Sequence, residues 1–221
     1  MKYIYSDNPV PAAARHLATT IESHLENNER VVWLLSGGSG VKVGLIACQQ
    51  LQGVDLSNLT VTLTDERYGP LNHANENWRE LLEGGLSLPG ATLHRPLTGD
   101  SRDLTTDHFG AWLKQQIEQA DYTIGLFGIG SDGHTAGIKP GSIAVDSPDW
   151  AAGYAGEDFE RITMTFVPIQ QIDEAVIQAS GSEKANVLEQ LMAQDIPLSD
   201  QPAQILKTIP TVTIYSDNKI E

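Results

Sequence analysis

Apolar and β-branched residues come in short runs along this chain, separated by polar stretches with a helical apolar rhythm. The runs of strand length are Val31–Leu35 (VVWLL), Leu59–Leu63 (LTVTL), Tyr122–Phe127 (YTIGLF), Ala175–Ala179 (AVIQA) and Thr211–Tyr215 (TVTIY), with Tyr3–Tyr5 as a short first one. Their apolar character is continuous rather than alternating, which predicts strands covered on both faces, as in a parallel sheet. Between them, Pro9–Asn28 carries Leu17, Ile21 and Leu25 one turn apart. Phe109, Trp112, Leu113 and Ile117 form one face of another helix,. Gly181-Ser182 ahead of Glu183–Met192 predicts a capped helix start,. Strands alternating with helices imply right-handed crossovers and a doubly wound α/β fold, a mostly parallel sheet flanked by helices in the Rossmann-like manner. One domain over residues 1–221 accommodates the pattern,. Ligands of such folds bind beyond the carboxyl ends of the strands, so the chemistry is expected in the segments that follow them.

Three such segments carry polar and glycine-rich sequence. Val31–Leu35 runs into Ser36-Gly37-Gly38-Ser39-Gly40. Glycines let the backbone approach an anion, and the next helix presents free N–H groups. No Lys-Ser/Thr follows, so this is not a Walker A loop, and a plain turn remains the alternative. Leu59–Leu63 runs into Thr64-Asp65-Glu66-Arg67-Tyr68-Gly69-Pro70. Arg67 is a natural bidentate partner for an anion, and Asp65 can hold hydroxyls; a surface salt-bridge cluster is the alternative. Tyr122–Phe127 runs into Gly128-Ile129-Gly130-Ser131-Asp132-Gly133-His134-Thr135. This contains the dinucleotide fingerprint G-x-G-x-x-G, but Pro140 and Gly141 forbid the long helix that the fingerprint requires,. His134 can instead take a proton near neutral pH, with Asp132 two residues away to orient it.

Composition narrows the ligand. The chain has 221 residues, 14 basic against 29 acidic, for a formal charge of −15. No basic face is available for nucleic acid or an anionic membrane, whereas a small anion feels only local groups. No apolar run approaches a bilayer span, and MKYIYSDNP meets a charge and a proline too early for a signal peptide,. Cys48 is the only cysteine, which suits a reduced, cytoplasmic chain and an ordinary packing role,. His16, His24, His73, His94 and His108 show no metal-ligand spacing,. His73 is placed near the Asp65–Asn77 stretch. Trp33 and Trp112 are expected in the core, Trp78 and Trp150 near a cleft or at the surface.

Together the three segments resemble one family, the glucosamine-6-phosphate isomerases and 6-phosphogluconolactonases, nearly from end to end. The likeness rests on Leu35–Ser39 (LSGGS); Asp65-Glu66-Arg67 with Pro70 and Asn77-Trp78-Arg79; and Gly128–Thr135 with Pro140-Gly141-Ser142. Arg161–Thr165 (RITMT), Gly181-Ser182-Glu183-Lys184-Ala185, Pro202-Ala203 and a last strand ending near Asp217 complete it. The lactonase branch is the better match. It implies a glucosamine-6-phosphate deaminase-like fold and hydrolysis of 6-phospho-D-glucono-1,5-lactone in the pentose phosphate pathway, with no metal or cofactor. Carried onto this chain, His134 is the base for water and Asp132 its support. Ser36, Gly37, Gly38, Ser39, Arg67 and Lys184 face the phosphate, and Asp65, Asn77 and Gly130 shape the rest of the pocket. Backbone N–H groups of the Gly130 and Gly38 loops are the candidate oxyanion donors.

Four departures accompany the likeness. Gly40-Val41 stands where the family carries Thr-Pro, and Gly69 where it carries valine. Lys139 stands where lactonases carry an apolar residue and deaminases a glutamate, and Gly156–Glu160 is acidic where the family is rich in lysine and proline. A deaminase or isomerase on the same fold is the nearest alternative, although Lys139 replaces its glutamate. A non-catalytic sugar-phosphate sensor would not need Asp132, His134 and Arg67 together, and a nicotinamide oxidoreductase is more distant. A monomer or small homo-oligomer is expected. With only seven lysines, the chain needs a local positive cleft, and its acid excess points to a high-salt habitat,.

Overall fold

The computed structural model describes residues 1–220. Its elements run β1 (Lys2–Tyr5), α1 (Pro9–Glu26), β2 (Val31–Leu35), α2 (Ser39–Gln50), β3 (Leu59–Leu63), β4 (Asp65–Arg67), α3 (Asn77–Glu83) and β5 (Thr92–Leu93). They continue with α4 (Arg102–Gln119), β6 (Tyr122–Phe127), β7 (Ala151–Ala155), β8 (Glu160–Met164), α5 (Phe166–Ile169), β9 (Glu174–Gln178), α6 (Ala185–Ala193) and β10 (Thr211–Ser216). Seven strands make one sheet in the order β1-β10-β9-β6-β2-β3-β5, every neighbouring pair parallel.

The continuous apolar runs explain the layering. In β2, Val31, Trp33 and Leu35 belong to the core that includes residues of α1, α2 and α3, while Val32 and Leu34 belong to the core that includes residues of α4 and α6. Alternate side chains of one buried strand therefore enter two cores, which requires both sets to be apolar. The fold is α/β, a mostly parallel sheet flanked by helices. The chain runs from β2 outward to β3 and β5, then returns to β6 on the other side of β2. The order thus reverses between β2 and β6, and the loops after these two strands bracket the crevice.

A second, three-stranded sheet, β4-β8-β7, is antiparallel and lies beside the first. Asp65–Arg67, expected as loop, is its edge strand, because pairing with Arg161–Thr163 overrides three poor strand formers,. β9 starts one residue before the apolar run, at Glu174, whose buried carboxylate takes His16 Nε2 at 2.8 Å and the Tyr122 hydroxyl at 2.7 Å. The expected cap at Gly181-Ser182 is absent: Ser182–Lys184 is a 3-10 turn with no side-chain cap bond, and α6 starts at Ala185. Trp33 is fully buried and Trp112 half-buried, while Trp78 is core rather than cleft or surface. No described helix is long and apolar enough to cross a membrane. Cys48 is free and buried, and burial pushes its thiol up to about 12.

His94 follows β5 and stacks on Trp112 with ring centroids 3.8 Å apart. Burial pushes its imidazole down to about 4 from 6.5. The folded chain holds this histidine neutral, whereas the unfolded chain protonates it near 6.5. Its stabilisation is therefore complete above that value and is lost as pH falls toward about 4. The urea midpoint is expected to drop over that window, and His94→Gln to flatten the drop; an unchanged slope would rule His94 out.

Candidate active site

The loop after β2 opens α2 directly. Gly38, at φ 55° and ψ −126°, makes the turn in a region that favours glycine, and α2 starts at Ser39 with no side-chain cap,. Gly40 N–H and Val41 N–H close the first turn on the Gly37 and Gly38 carbonyls, both at 3.1 Å, and the start of the helix at Gly38-Ser39 faces the crevice,. Gly37 packs against Asn77: a Cβ there would lie 2.2 Å from Asn77 Oδ1. Asn77 is buried at the start of α3, where its Nδ2 donates to the Asp65 carbonyl at 3.1 Å. Its Oδ1 has no partner among the described residues. Gly40 is also a tight fit, since a Cβ would come 2.9 Å from Ser36 Cβ.

β4 aims two charged groups by burying a third. Glu66 is fully buried, and its carboxylate accepts N–H groups from Arg67 (2.7 Å), Asn77 (2.7 Å) and Trp78 (2.9 Å). Burial pushes its carboxyl up to about 8, against the pull of those donors. Alternation along the strand then turns Asp65 and Arg67 to the other side, into the crevice. Arg67 Nη1 donates to the Asn75 carbonyl at 3.1 Å, and its guanidinium lies 5.3 Å from the Phe159 ring centroid. His73 steadies this loop: its Nε2 donates to the Arg67 carbonyl at 2.9 Å, and its Nδ1 accepts from Asn75 N–H at 3.3 Å. Burial raises the Asp65 carboxyl, while Thr64, Arg67, Arg161 and His134 oppose the rise.

The loop after β6 carries the basic group. No helix follows it before Ala151, in agreement with rejecting the dinucleotide reading. His134 Nδ1 lies 2.5 Å from Asp132 Oδ1, which also accepts the His134 N–H at 3.2 Å. These bonds hold the Asp132 carboxyl well below the usual range. The turn closes through Gly130 N–H to the His134 carbonyl and Gly133 N–H to the Gly130 carbonyl, both at 2.9 Å. The Gly130, Gly133 and His134 N–H groups are therefore engaged within the turn, which narrows the candidate oxyanion donors of this loop. A Cβ at Gly130 would stand 2.0 Å from His134 Nδ1 and 2.3 Å from Asp132 Oδ1.

These parts meet at one cavity of about 170 Å³. Ser36, Gly37, Gly38, Ser39, Asp65, Arg67, Asn77, Gly130, His134 and Lys184 all line it, and Asp132 supports His134 from behind. Larger hollows lie outside it, among them ones of about 600 and 680 Å³; the latter touches the outer side of Asp132. Among the described residues neither Arg67 nor Lys184 has a carboxylate oxygen within 4.0 Å. Two cations without ion partners, beside a helix N-terminus, make a positive pocket in an acidic protein. Among the described residues no group of three His, Cys, Asp or Glu is placed to hold a metal ion.

The sequence model of the family described as glucosamine-6-phosphate isomerases/6-phosphogluconolactonase matches residues 6–214. The chain belongs to this family. The chain is 28% identical over 209 residues to a 6-phosphogluconolactonase of Mycobacterium leprae, covering 86% of this chain and 84% of that one. It is 26% identical over 242 residues to a glucosamine-6-phosphate deaminase of Oceanobacillus iheyensis, covering 98% and 94%. The crystal structure of a 6-phosphogluconolactonase from Thermotoga maritima superposes with a TM-score of 0.83 at 20% identity, over 97% of this chain and 98% of that one.

This family member also places in its cavity residues that sequence reasoning left without a role. Arg161, 8% exposed, lines the wall with a buried Nη1 that has no partner among the described residues. Its guanidinium lies 5.6 Å from the same Phe159 ring that Arg67 covers. Arg161 heads the RITMT strand, and its antiparallel register opposite Arg67 brings both to one end of the small sheet. Ile129 and Ala136 supply apolar wall. His73 does not line the cavity but holds the Arg67 backbone, and Lys139 reaches Asp132 from outside, at 3.5 Å.

Proposed function

We propose that the chain hydrolyses 6-phospho-D-glucono-1,5-lactone to 6-phospho-D-gluconate, a step of the pentose phosphate pathway. The observation that carries this reading is a His–Asp pair opening on the same small cavity as an anion-receiving helix start and two cations without carboxylate partners. Relatives named 6-phosphogluconolactonase support an enzyme of this kind.

The geometry supports the following roles. Asp132 accepts Nδ1–H, so Nε2 keeps its lone pair and acts as the base,. Water gives its proton to Nε2 and bonds to the lactone carbonyl carbon. The tetrahedral intermediate collapses, the ring C–O bond breaks, and the imidazolium returns the proton to the departing ring oxygen. The substrate phosphate sits on Ser36, Ser39 and the Gly37-Gly38 amides, with Arg67 and Lys184 closing on it. Asp65 and Asn77 take ring hydroxyls. The buried, free Cys48 suits a reducing compartment, and we place the activity in the cytoplasm,.

Removing the phosphate partner is expected to weaken binding more than turnover. Arg67→Ala should raise KM roughly 10- to 100-fold, the range for losing a charged hydrogen bond, with a smaller change in kcat. A KM at the wild-type level would remove Arg67 from the phosphate site. Lactone hydrolysis itself is read in a rapid assay coupled to 6-phosphogluconate oxidation, against spontaneous hydrolysis. The Oceanobacillus iheyensis relative supports a second reading, amino-sugar phosphate deamination. Ammonia released from glucosamine 6-phosphate, without lactone hydrolysis, would replace the first reading by the second.

A further inference from the structure

Two of the segments that depart from the family pattern, Lys139 and the acidic turn Gly156–Glu160, meet in space. Lys139 Nζ lies 3.5 Å from Asp132 Oδ2 and 3.9 Å from Asp158 Oδ2. Asp158 Oδ2 in turn takes Arg161 Nη2 at 2.8 Å. The result is one chain of alternating charge: His134, Asp132, Lys139, Asp158, Arg161. Its two ends line the cavity, and its middle runs behind the wall. The backbone around Lys139 is fixed from β7: the Tyr154 hydroxyl donates to the Gly137 carbonyl at 2.5 Å and accepts the Lys139 N–H at 3.4 Å. The Asp158 side is fixed by its own turn, where Gly156 N–H donates to the Phe159 carbonyl and Asp158 Oδ1 accepts the Phe159 N–H, both at 2.9 Å.

We infer that Lys139 is a positioning residue for the His134–Asp132 pair, tethered by Asp158. The inference rests on reading His134 as the base. Asp132 has two oxygens and two cationic neighbours. Lys139 takes Oδ2, which leaves Oδ1 to face His134 Nδ1. The carboxylate plane is thereby set from both sides. The Lys139 charge also opposes a second positive charge on the imidazole, so its removal is expected to favour the protonated ring. The other charges around the pair are Asp65 and Arg67 from β4, Arg161 from β8 and Lys184 from the turn before α6 on the cavity side, and Arg102 and Glu157 along the outer hollow that Asp132 and Lys139 also line. Besides His134, Lys139 is the cation that reaches Asp132 within 4.0 Å among the described residues.

The test is the His134 titration midpoint in the full chain without substrate, read by imidazole NMR and assigned by the resonance lost in His134→Gln. Lys139→Met should raise the midpoint by roughly half a unit to one unit, as expected for removing one charge near a half-buried site. Lys139→Glu should raise it further, and Lys139→Arg should leave it in place. The shifts should shrink in 1 M KCl. The acidic limb of kcat/KM should move with the midpoint. Equal midpoints in wild type and Lys139→Met would overturn the inference, as would a Lys139→Met that loses kcat at every pH with no movement of the limb. A wild type that hydrolyses no lactone, but whose His134 still moves with Lys139, would overturn the proposed reaction and leave the positioning role standing.

Discussion

His134→Ala is expected to lower kcat for the 6-phosphogluconolactone by about 10²- to 10⁴-fold, with KM changed much less. Catalysis that survives would come from the phosphate grip and the loop amides, which do not depend on the imidazole. The loss falls on kcat because the base acts only as the bond to water forms. Asp132→Asn belongs to the same experiment. It keeps the shape of the carboxylate but no longer requires a hydrogen on Nδ1, so the imidazole can present the wrong tautomer. A smaller loss than for His134→Ala is expected, still in kcat. Wild-type turnover by His134→Ala in the rapid coupled assay would remove the proposed mechanism.

Gly130→Ala is expected to approach the same loss while keeping both members of the pair. The added Cβ would stand 2.0 Å from His134 Nδ1 and 2.3 Å from Asp132 Oδ1, well inside any permitted contact. The ring must swing away, and the 2.5 Å bond to Asp132 must break. Nothing else lies among the three nearest atoms except a further carbon of the same imidazole, so the damage stays local. The expected result is a kcat loss of at least about 10²-fold at nearly unchanged melting temperature. Full activity in Gly130→Ala would show that the His134–Asp132 geometry described above is not the working one.

The fold was largely legible because its strands are buried on both faces. A run such as Val31–Leu35 admits few other readings, and the reversal of strand order then marks the crevice. The second sheet was not legible. Asp65-Glu66-Arg67 becomes a strand only through pairing with Arg161–Thr163, a partner nearly a hundred residues away. Glu66 is tolerated in the interior only because the start of α3 supplies N–H groups to it. No local pattern announces either fact. The residues assigned to the cavity wall were those carried by motifs after strands, and the structure brings them to one cavity. Arg161 escapes this reading because it lies at the start of a strand instead of following one. Gly130 lines the cavity, but which N–H groups of its loop stay free is set by the turn to His134, which no local sequence pattern specifies.

The parallel pairing of β1 with β10 carries a consequence for how this chain is made. β1 has a single strand neighbour, and that neighbour follows every other strand of the sheet in sequence. β10 also lies between β1 and β9, so β1 has no ladder to join until β10 is in place. On the ribosome, Lys2–Tyr5 must wait through the synthesis of more than two hundred residues before it can dock,. Sheet completion is thus a late, non-local event, and β1 is the strand most open to wrong partners in the interval.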